Sequence, residues 1–451
     1  MASAESSRDV VAFALARARA AGAYQAEVAL SRGEAFDARV RTNEIDFVKQ
    51  SREQSLGVRV YVGGRGGLSA AAARTSDLSR DVVARTAADA VALARATVPD
   101  ACAGLPDGGF ATDAPDLELF APGDRPFEPD SRIAAARAME GAAHAFDPRI
   151  SDSEGSQAHS GFGEIAYGNS AGFFGEYASA RHTIFAESLA KSDGVAMQRD
   201  AWYSSARSWG ALDSAASVGR RAAERALRRL GARRVPTCEV PVVFDPTTAP
   251  SLLRQLAGCA SGYAIYRGAS FLAGRLGQTI ASPAVTIVDD ARLRGGLGSR
   301  PFDGDGLPTR RNVLVDRGRL ASYVLDTYAA RKLGLRSTGN AVRGGGASPG
   351  NLWLEPGAKT PEEIIASTPR GLYVTDLIGQ GFNPVTGDYS RGATGMWIEN
   401  GELAFPVEEI TIASNFGQML RDIDAIGSDL IWFGATAAPT LRVARMTVAG
   451  S

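Results

Sequence analysis

Gly379-Gln-Gly-Phe-Asn-Pro-Val-Thr-Gly-Asp-Tyr-Ser-Arg-Gly-Ala-Thr-Gly-Met-Trp-Ile-Glu-Asn-Gly-Glu-Leu-Ala-Phe-Pro-Val-Glu-Glu-Ile-Thr-Ile-Ala-Ser-Asn415 decides how the rest of the chain is read. Glycines at 379, 381, 387, 392 and 395 interrupt its first half, and apolar and polar residues alternate through its second. That pattern predicts loop, strand, tight turn, strand. At the turn, Asn400-Gly401 separates Met396-Trp397-Ile398 from Leu403-Ala404-Phe405. Asn and Gly adopt the positive φ angles that a two-residue type I′ hairpin demands. The upstream loop, 386–392, is small, polar and charged, and its glycines would let a ligand or another chain approach the backbone. An ordered surface loop is the plain alternative.

Around that segment the composition is that of a folded protein. The chain has 451 residues, 45% hydrophobic and 22% charged, enough for two or three domains with a substantial core. A formal net charge of −1 gives no bias towards nucleic acid or an acidic membrane surface. Cys102, Cys238 and Cys259 are widely spaced and form no C-x-x-C, which fits a reducing compartment and offers no disulfide framework. The first residues lack the basic-then-apolar layout of a signal peptide, and no apolar run approaches the ~20 residues of a membrane helix. A cytoplasmic location is expected.

Periodicity divides the chain. Residues 1–100 read as an N-terminal α+β module: a helix over 7–21, half-buried strands at 25–32, 35–41, 44–50 and 55–62, a glycine turn at 63–67, another strand from Leu68, and a helix over 81–95. Residues 101–125, rich in Pro, Gly and Asp, read as a linker. Residues 126–233 repeat the order with a helix at 131–144, strands near 150–156, 164–170, 177–187 and 194–202, and a helix at 215–230. Residue identities do not repeat, so the recurrence is one of architecture.

Residues 236–451 open with a proline-bounded strand run and a helix over 249–258. Short strands are predicted at 284–289, 311–316, 319–326, 351–354 and 371–376, then a helix from Phe416 to Ile426 and a last strand near 440–448. Strand after strand with few helices predicts an antiparallel sheet or barrel. The fold class is α+β: two small helix-flanked sheet modules followed by a large β-rich C-terminal domain.

Several motifs stand in order along the chain: Gly57-Val-Arg-Val, Asn169-Ser-Ala-Gly, Phe302-Asp-Gly-Asp-Gly, Asn312-Val-Leu-Val-Asp-Arg-Gly, Gly387-Asp-Tyr-Ser-Arg-Gly, Trp397-Ile-Glu-Asn-Gly-Glu, Phe405-Pro-Val-Glu-Glu-Ile-Thr-Ile, Pro439-Thr-Leu and Val448-Ala-Gly. With them the sequence resembles the TldD/TldE (PmbA) family end to end, its TldE branch in particular. The resemblance implies an intracellular zinc metallopeptidase built from two related subunits. Its implied roles are degradation of unfolded peptides, microcin maturation, antitoxin turnover and, by an older description, modulation of DNA gyrase. It further implies that the TldD-type subunit carries the zinc on a helix with His-Glu-x-x-x-His, joined by a C-terminal cysteine.

Zinc hydrolysis needs about three protein ligands, an activated water and a carboxylate to take its proton. Aligned on that pattern, this chain has Arg254, Gln255 and Cys259 where the first His, the Glu and the second His would stand. No cysteine follows Cys259, and His144, His159 and His182 all lie upstream of the third region. No metal or catalytic residue is therefore expected in this chain, and zinc is expected in a TldD-type partner.

The remaining candidates are weaker. Cys259 could be a nucleophile but reads as helix packing. Asp303, Asp305 and Asp316 lack the ligand series of a calcium loop and read as turn aspartates. The glycine loop at 344–350 lacks the Gly-Lys-Ser/Thr of a phosphate loop. Thr386, Asp388, Ser390 and Arg391 stay open between a substrate- or partner-binding role and a structural one; Arg391 could hold a peptide carboxylate or carbonyl. The expected protein is a non-catalytic subunit of a heteromeric, peptide-degrading zinc metallopeptidase, a dimer or higher oligomer. A homodimeric peptide-binding or regulatory protein without proteolysis is the alternative. A self-sufficient hydrolase would need a nucleophile–base pair that the sequence does not display.

Overall fold

Period-two burial builds the first half of the molecule. The computed structural model describes residues 6–124 and 127–450; the leader reading of residues 1–5 and the segment limits at 1, 125, 126 and 451 lie outside them. α1 (Ser7–Ala20) begins on Ser6, whose hydroxyl accepts the Asp9 amide. It leads into β1 (Gln25–Arg41), β2 (Glu44–Gly64), β3 (Gly67–Thr75) and α2 (Arg80–Arg95). The four strands expected over 25–62 are thus two long ones. Gly33 does not turn the chain but stays in register, facing Glu53 on one side and Gly163 on the other.

The same order returns in α3 (Pro129–His144), β4 (Ile150–Asn169), β5 (Phe174–Ala190), β6 (Gln198–Ala206) and α4 (Ala215–Arg228). The strands predicted at 150–156 and 164–170 merge into β4, and 194–197 precedes β6 rather than belonging to it. An antiparallel β1–β4 pair joins the two units into one sheet, ordered β3-β2-β1-β4-β5-β6. Ala26, Val28 and Leu30 of β1 and Leu56, Val58 and Val60 of β2 pack beneath α1 and α2. Val40, Ala158, Ile184 and Trp202 pack beneath α3 and α4. Those two helices touch at Gly219, where a Cβ would stand 1.9 Å from the Met139 carbonyl, so the contact requires glycine.

The third region starts with β7 (Cys238–Phe244), α5 (Pro250–Cys259) and α6 (Gly262–Tyr266). Then come β8 (Ile287–Asp290), β9 (Arg311–Asp316), β10 (Arg319–Leu320), α7 (Thr327–Leu333), β11 (Asn351–Leu354), α8 (Pro361–Ala366), β12 (Arg370–Ile378), β13 (Asp388–Glu399) and β14 (Glu402–Asn415). α9 (Phe416–Arg421), β15 (Ile423–Ile426), β16 (Thr436–Ala437) and β17 (Leu441–Ala449) complete it. β14-β13-β12-β7-β17 form a ring, because β17 also pairs with β14 at Thr411–Ala449 and its neighbours. A five-stranded barrel closes in this way, leaving β15 on its rim and a second five-stranded sheet, β10-β9-β8-β11-β16, beside it.

Three local expectations are corrected. The helix expected from Phe416 to Ile426 stops at Arg421, because Ile423 and Ile426 are drawn into pairing with β17. The strand expected over 319–326 is two residues long, and Asp326 instead caps α7 by accepting the Ala329 amide. Residues 388–392, read as loop, are already strand: Gly392 pairs with Ile378 on one side and Thr411 on the other. Among the described residues no helix is long and apolar enough to cross a membrane.

Candidate functional site

The turn of the opening segment has the expected backbone. Asn400 and Gly401 take φ of 53° and 79° between paired Glu399 and Glu402. At the other end Gly387, at φ 82°, turns the chain into β13. Gly381 admits close packing, since a Cβ there would stand 1.6 Å from the Ser390 carbonyl, and the Ser390 amide donates to the Gly381 carbonyl at 2.7 Å.

Strand alternation separates the residues that the sequence placed together. Thr386, Asp388 and Ser390 are exposed, while Tyr389 is buried and Arg391 half-buried on the opposite face. Thr386 Oγ1 donates to Asp388 Oδ2 at 2.6 Å, and Asn415 Nδ2 holds the Thr386 carbonyl at 2.9 Å. Arg391 Nη2 donates to the Leu377 carbonyl at 3.3 Å, but its Nε is buried without a partner, as is the Tyr389 hydroxyl. Burial pushes Tyr389 up to about 12, against the opposing charge of Arg391.

α5 packs into the same hydrophobic core as Tyr389. Asp245, just before it, accepts Thr247 Oγ1 at 2.6 Å and the Tyr373 hydroxyl at 2.8 Å. Leu252, Leu253, Leu256, Ala257 and Cys259 form the buried side of the helix. Arg254 reaches solvent; the protein around its guanidinium lowers its pKa, Tyr203 raises it, and the like charge of Arg391 lowers it. Gln255 Oε1 is buried with no partner. Cys259 is 1% exposed, and burial pushes its thiol up to about 11.

These residues do not fit a zinc ion. A ligand must be neutral imidazole, carboxylate or thiolate. Arg254 is a cation, Gln255 offers an uncharged amide, and the one buried thiol, Cys259, does not make a ligand set by itself. Among the described residues no group of three or more His, Cys, Asp or Glu side chains is placed to hold a metal.

The histidines serve elsewhere. His144 Nδ1 lies 3.1 Å from the Ile150 carbonyl and His159 Nδ1 2.8 Å from Asp37 Oδ1. His182 brings together a serine, a histidine and an aspartate that sequence distance had concealed. Ser160 Oγ is 2.8 Å from its Nδ1 and Asp124 Oδ2 3.4 Å from its Nε2. Ser160 and His182 are 0% exposed, Arg132 Nε also donates to Ser160 Oγ at 3.1 Å, and burial pushes His182 down to about 4. With no face open to a substrate, this constellation ties α3 to the sheet rather than cutting bonds.

A second buried group was also missed. Glu27 on β1 stands directly across from Arg59 on β2, with Tyr61 and Tyr167 on diagonal positions. Tyr167 donates to Glu27 Oε2 at 2.6 Å, Tyr61 to Oε1 at 3.2 Å, and Arg59 Nη1 lies 3.7 Å from Oε1. Burial, with Asp305 adding negative charge, raises Glu27 to about 7 although Arg59 and the two phenols oppose it. The signal in the sequence was one of alternation: Glu27 lies on the face of β1 opposite Ala26, Val28 and Leu30, and the C-terminal region covers that face.

The turn aspartates behave as read. Asp303 accepts the amides of Asp305, Leu307 and Ala341, and Asp305 accepts that of Thr327. Burial and neighbouring Asp305 raise Asp303 to about 7. Asp316 is exposed and 3.5 Å from Arg317.

Comparison with known proteins gives a consistent picture. Residues 26–94, 123–230 and 237–450 match the domain 1, central and C-terminal domain models of the PmbA/TldA metallopeptidases. The "Metalloprotease PmbA" of Escherichia coli O157:H7 is 38% identical over 425 residues, 93% of this chain and 92% of that protein. A solved Bacteroides thetaiotaomicron protein, named for modulation of DNA gyrase, is 28% identical with TM-score 0.91, covering 98% of this chain and 99% of its own. TldE from Thermococcus kodakarensis shares the fold at 22% identity and TM-score 0.86, over 98% of this chain and 100% of its own.

Proposed function

This chain belongs to the PmbA/TldD metallopeptidase family, and within it we propose the role of a non-catalytic TldE/PmbA-type subunit. It shapes a peptide cavity together with a TldD-type chain, and that partner holds the zinc. The observation that carries this reading is α5: Arg254, Gln255 and the single buried Cys259 supply neither a set of zinc ligands nor a carboxylate base.

The chain's own contribution is to position unfolded peptide. Arg391 is half-buried with its Nη2 on the Leu377 carbonyl at 3.3 Å, and its guanidinium is assigned that task because such groups recognise carbonyl and carboxylate oxygens. Asp388 and Ser390, on the other face of β13, serve the partner-facing surface. Both subunits work in the cytoplasm on this reading.

Mixing the purified chain with a TldD-type protein carrying His-Glu-x-x-x-His tests the proposal. The expected result is a heteromer that cleaves an unstructured peptide, with no cleavage by this chain alone. A chain that stays apart from the TldD-type protein and forms its own dimer would favour the homodimeric peptide-binding reading.

A further inference from the structure

Where the N-terminal sheet meets the glycine loop at 344–346, a cavity of about 240 Å³ is lined by three arginines, Arg59, Arg74 and Arg343, and by one acid, Glu27. We propose that this cavity is a binding site for a small oxyanion, the carboxylate or phosphate end of a compact ligand.

Charge is the first argument. Arg74 has no hydrogen-bond or ion-pair partner among the described residues, and Arg343 has only the Tyr177 hydroxyl at 3.4 Å. Arg59 shares Glu27 with two tyrosines. Arg59, Arg74 and Arg343 thus line the recess against Glu27, with Asp305 close enough to act electrostatically on both Glu27 and Arg59. Guanidiniums converging on a recess are the usual means of holding carboxylate or phosphate, through paired N–H donors.

Shape is the second. Gly344 takes φ of 89°, a backbone conformation that favours glycine, and the Arg74 Nη2 lies close beside it at the rim. The loop is held closed by the Val342 amide on the Gly346 carbonyl, 2.8 Å, and the Gly345 amide on the Val342 carbonyl, 3.0 Å. The loop lacks the lysine of a nucleotide-binding loop, and the cations come instead from β2, β3 and the loop itself. Size is the third: drug-sized ligands occupy roughly 300 Å³ or more, so this recess suits a single acid group on a short stem.

Calorimetric titration of the intact chain at low salt tests the site, with inorganic phosphate as one probe and an acetylated tripeptide, as free acid or as amide, as the other. Saturable one-site binding is expected for phosphate or the free-acid peptide, identifying the source of the oxyanion, and none for the amide. Arg74→Ala, at an exposed and unpartnered position, and separately Arg343→Ala, should each weaken binding about tenfold without changing the melting temperature. Arg52→Ala, on β2 outside the cavity, should bind like the parent. No saturable binding of either anion up to about 10 mM, an affinity too weak to matter, would overturn the proposal, and so would unchanged binding by both variants. The titration involves no TldD-type chain, so its outcome is independent of the subunit reading.

Discussion

α5 and the junction at Glu27 both gather chemistry-bearing side chains, and they do so with opposite results. On α5 the helical repeat presents a cation, an unpaired amide oxygen and a sealed thiol, with Arg391 adding a second positive charge nearby. At the junction, strand register sets a carboxylate opposite an arginine and between two phenols. The first place is the helix that the sequence resemblance sets against a zinc-binding pattern, and its residues make no donor set. The second has a strongly perturbed carboxylate, yet its lone pairs are already occupied by Tyr61, Tyr167 and Arg59. Perturbation of a pKa and possession of a catalytic position are thus separate properties, because burial alone suffices for the first.

The largest effect that would sharpen this contrast lies at Glu27. Its folded pKa is raised from 4.5 to about 7, so its protonated form favours the fold. That contribution is fully present below pH 4.5 and is lost as pH rises through 7. Glu27→Gln should remove this pH dependence, so that parent stability relative to the variant falls by on the order of 3 kcal/mol between pH 4.5 and pH 8. Urea unfolding of both proteins across that range measures it. Parallel profiles would mean that Glu27 is not held as described.

A smaller effect is expected from Tyr167→Phe. Removing its 2.6 Å donation to Glu27 should cost about 1–2 kcal/mol at neutral pH. It should also raise the Glu27 pKa further, since that bond favours the carboxylate. Urea midpoints at pH 5 and pH 8 separate the two consequences: the loss should be larger at pH 8. An equal loss at both values would assign Tyr167 to packing alone.

Much of the fold could be read from local chemistry. The Asn400-Gly401 hairpin and α1, α2 and α5 depend on neighbours in the chain: the turn residues and the Ser6 cap of α1 are visible there, and α2 and α5 show in their helical spacing of apolar residues. Closure of the barrel does not depend on neighbours. β7 and β17 are nearly 200 residues apart, and nothing within either strand names its partner. For the same reason 25–32 and 35–41 read as two strands: the pairing of Gly33 with Glu53 and Gly163 is settled across the sheet.

The candidate site divides along the same line. Arg254, Gln255 and Cys259 could be judged from their side chains, because donor chemistry is a property of the residue. By contrast, the grouping of Asp388, Ser390 and Arg391 dissolved once residues 388–392 proved to be strand, since alternate side chains leave opposite faces. Glu27 with Arg59 and Tyr167, and Ser160 with His182 and Asp124, are assembled by register and by distant loops, so no spacing in the sequence marks them.

The central claim, that α5 supplies no metal site, is tested most directly by the zinc content of the purified chain after equilibration with zinc and removal of the unbound ion. No stoichiometric zinc is expected. One zinc retained per chain would contradict it.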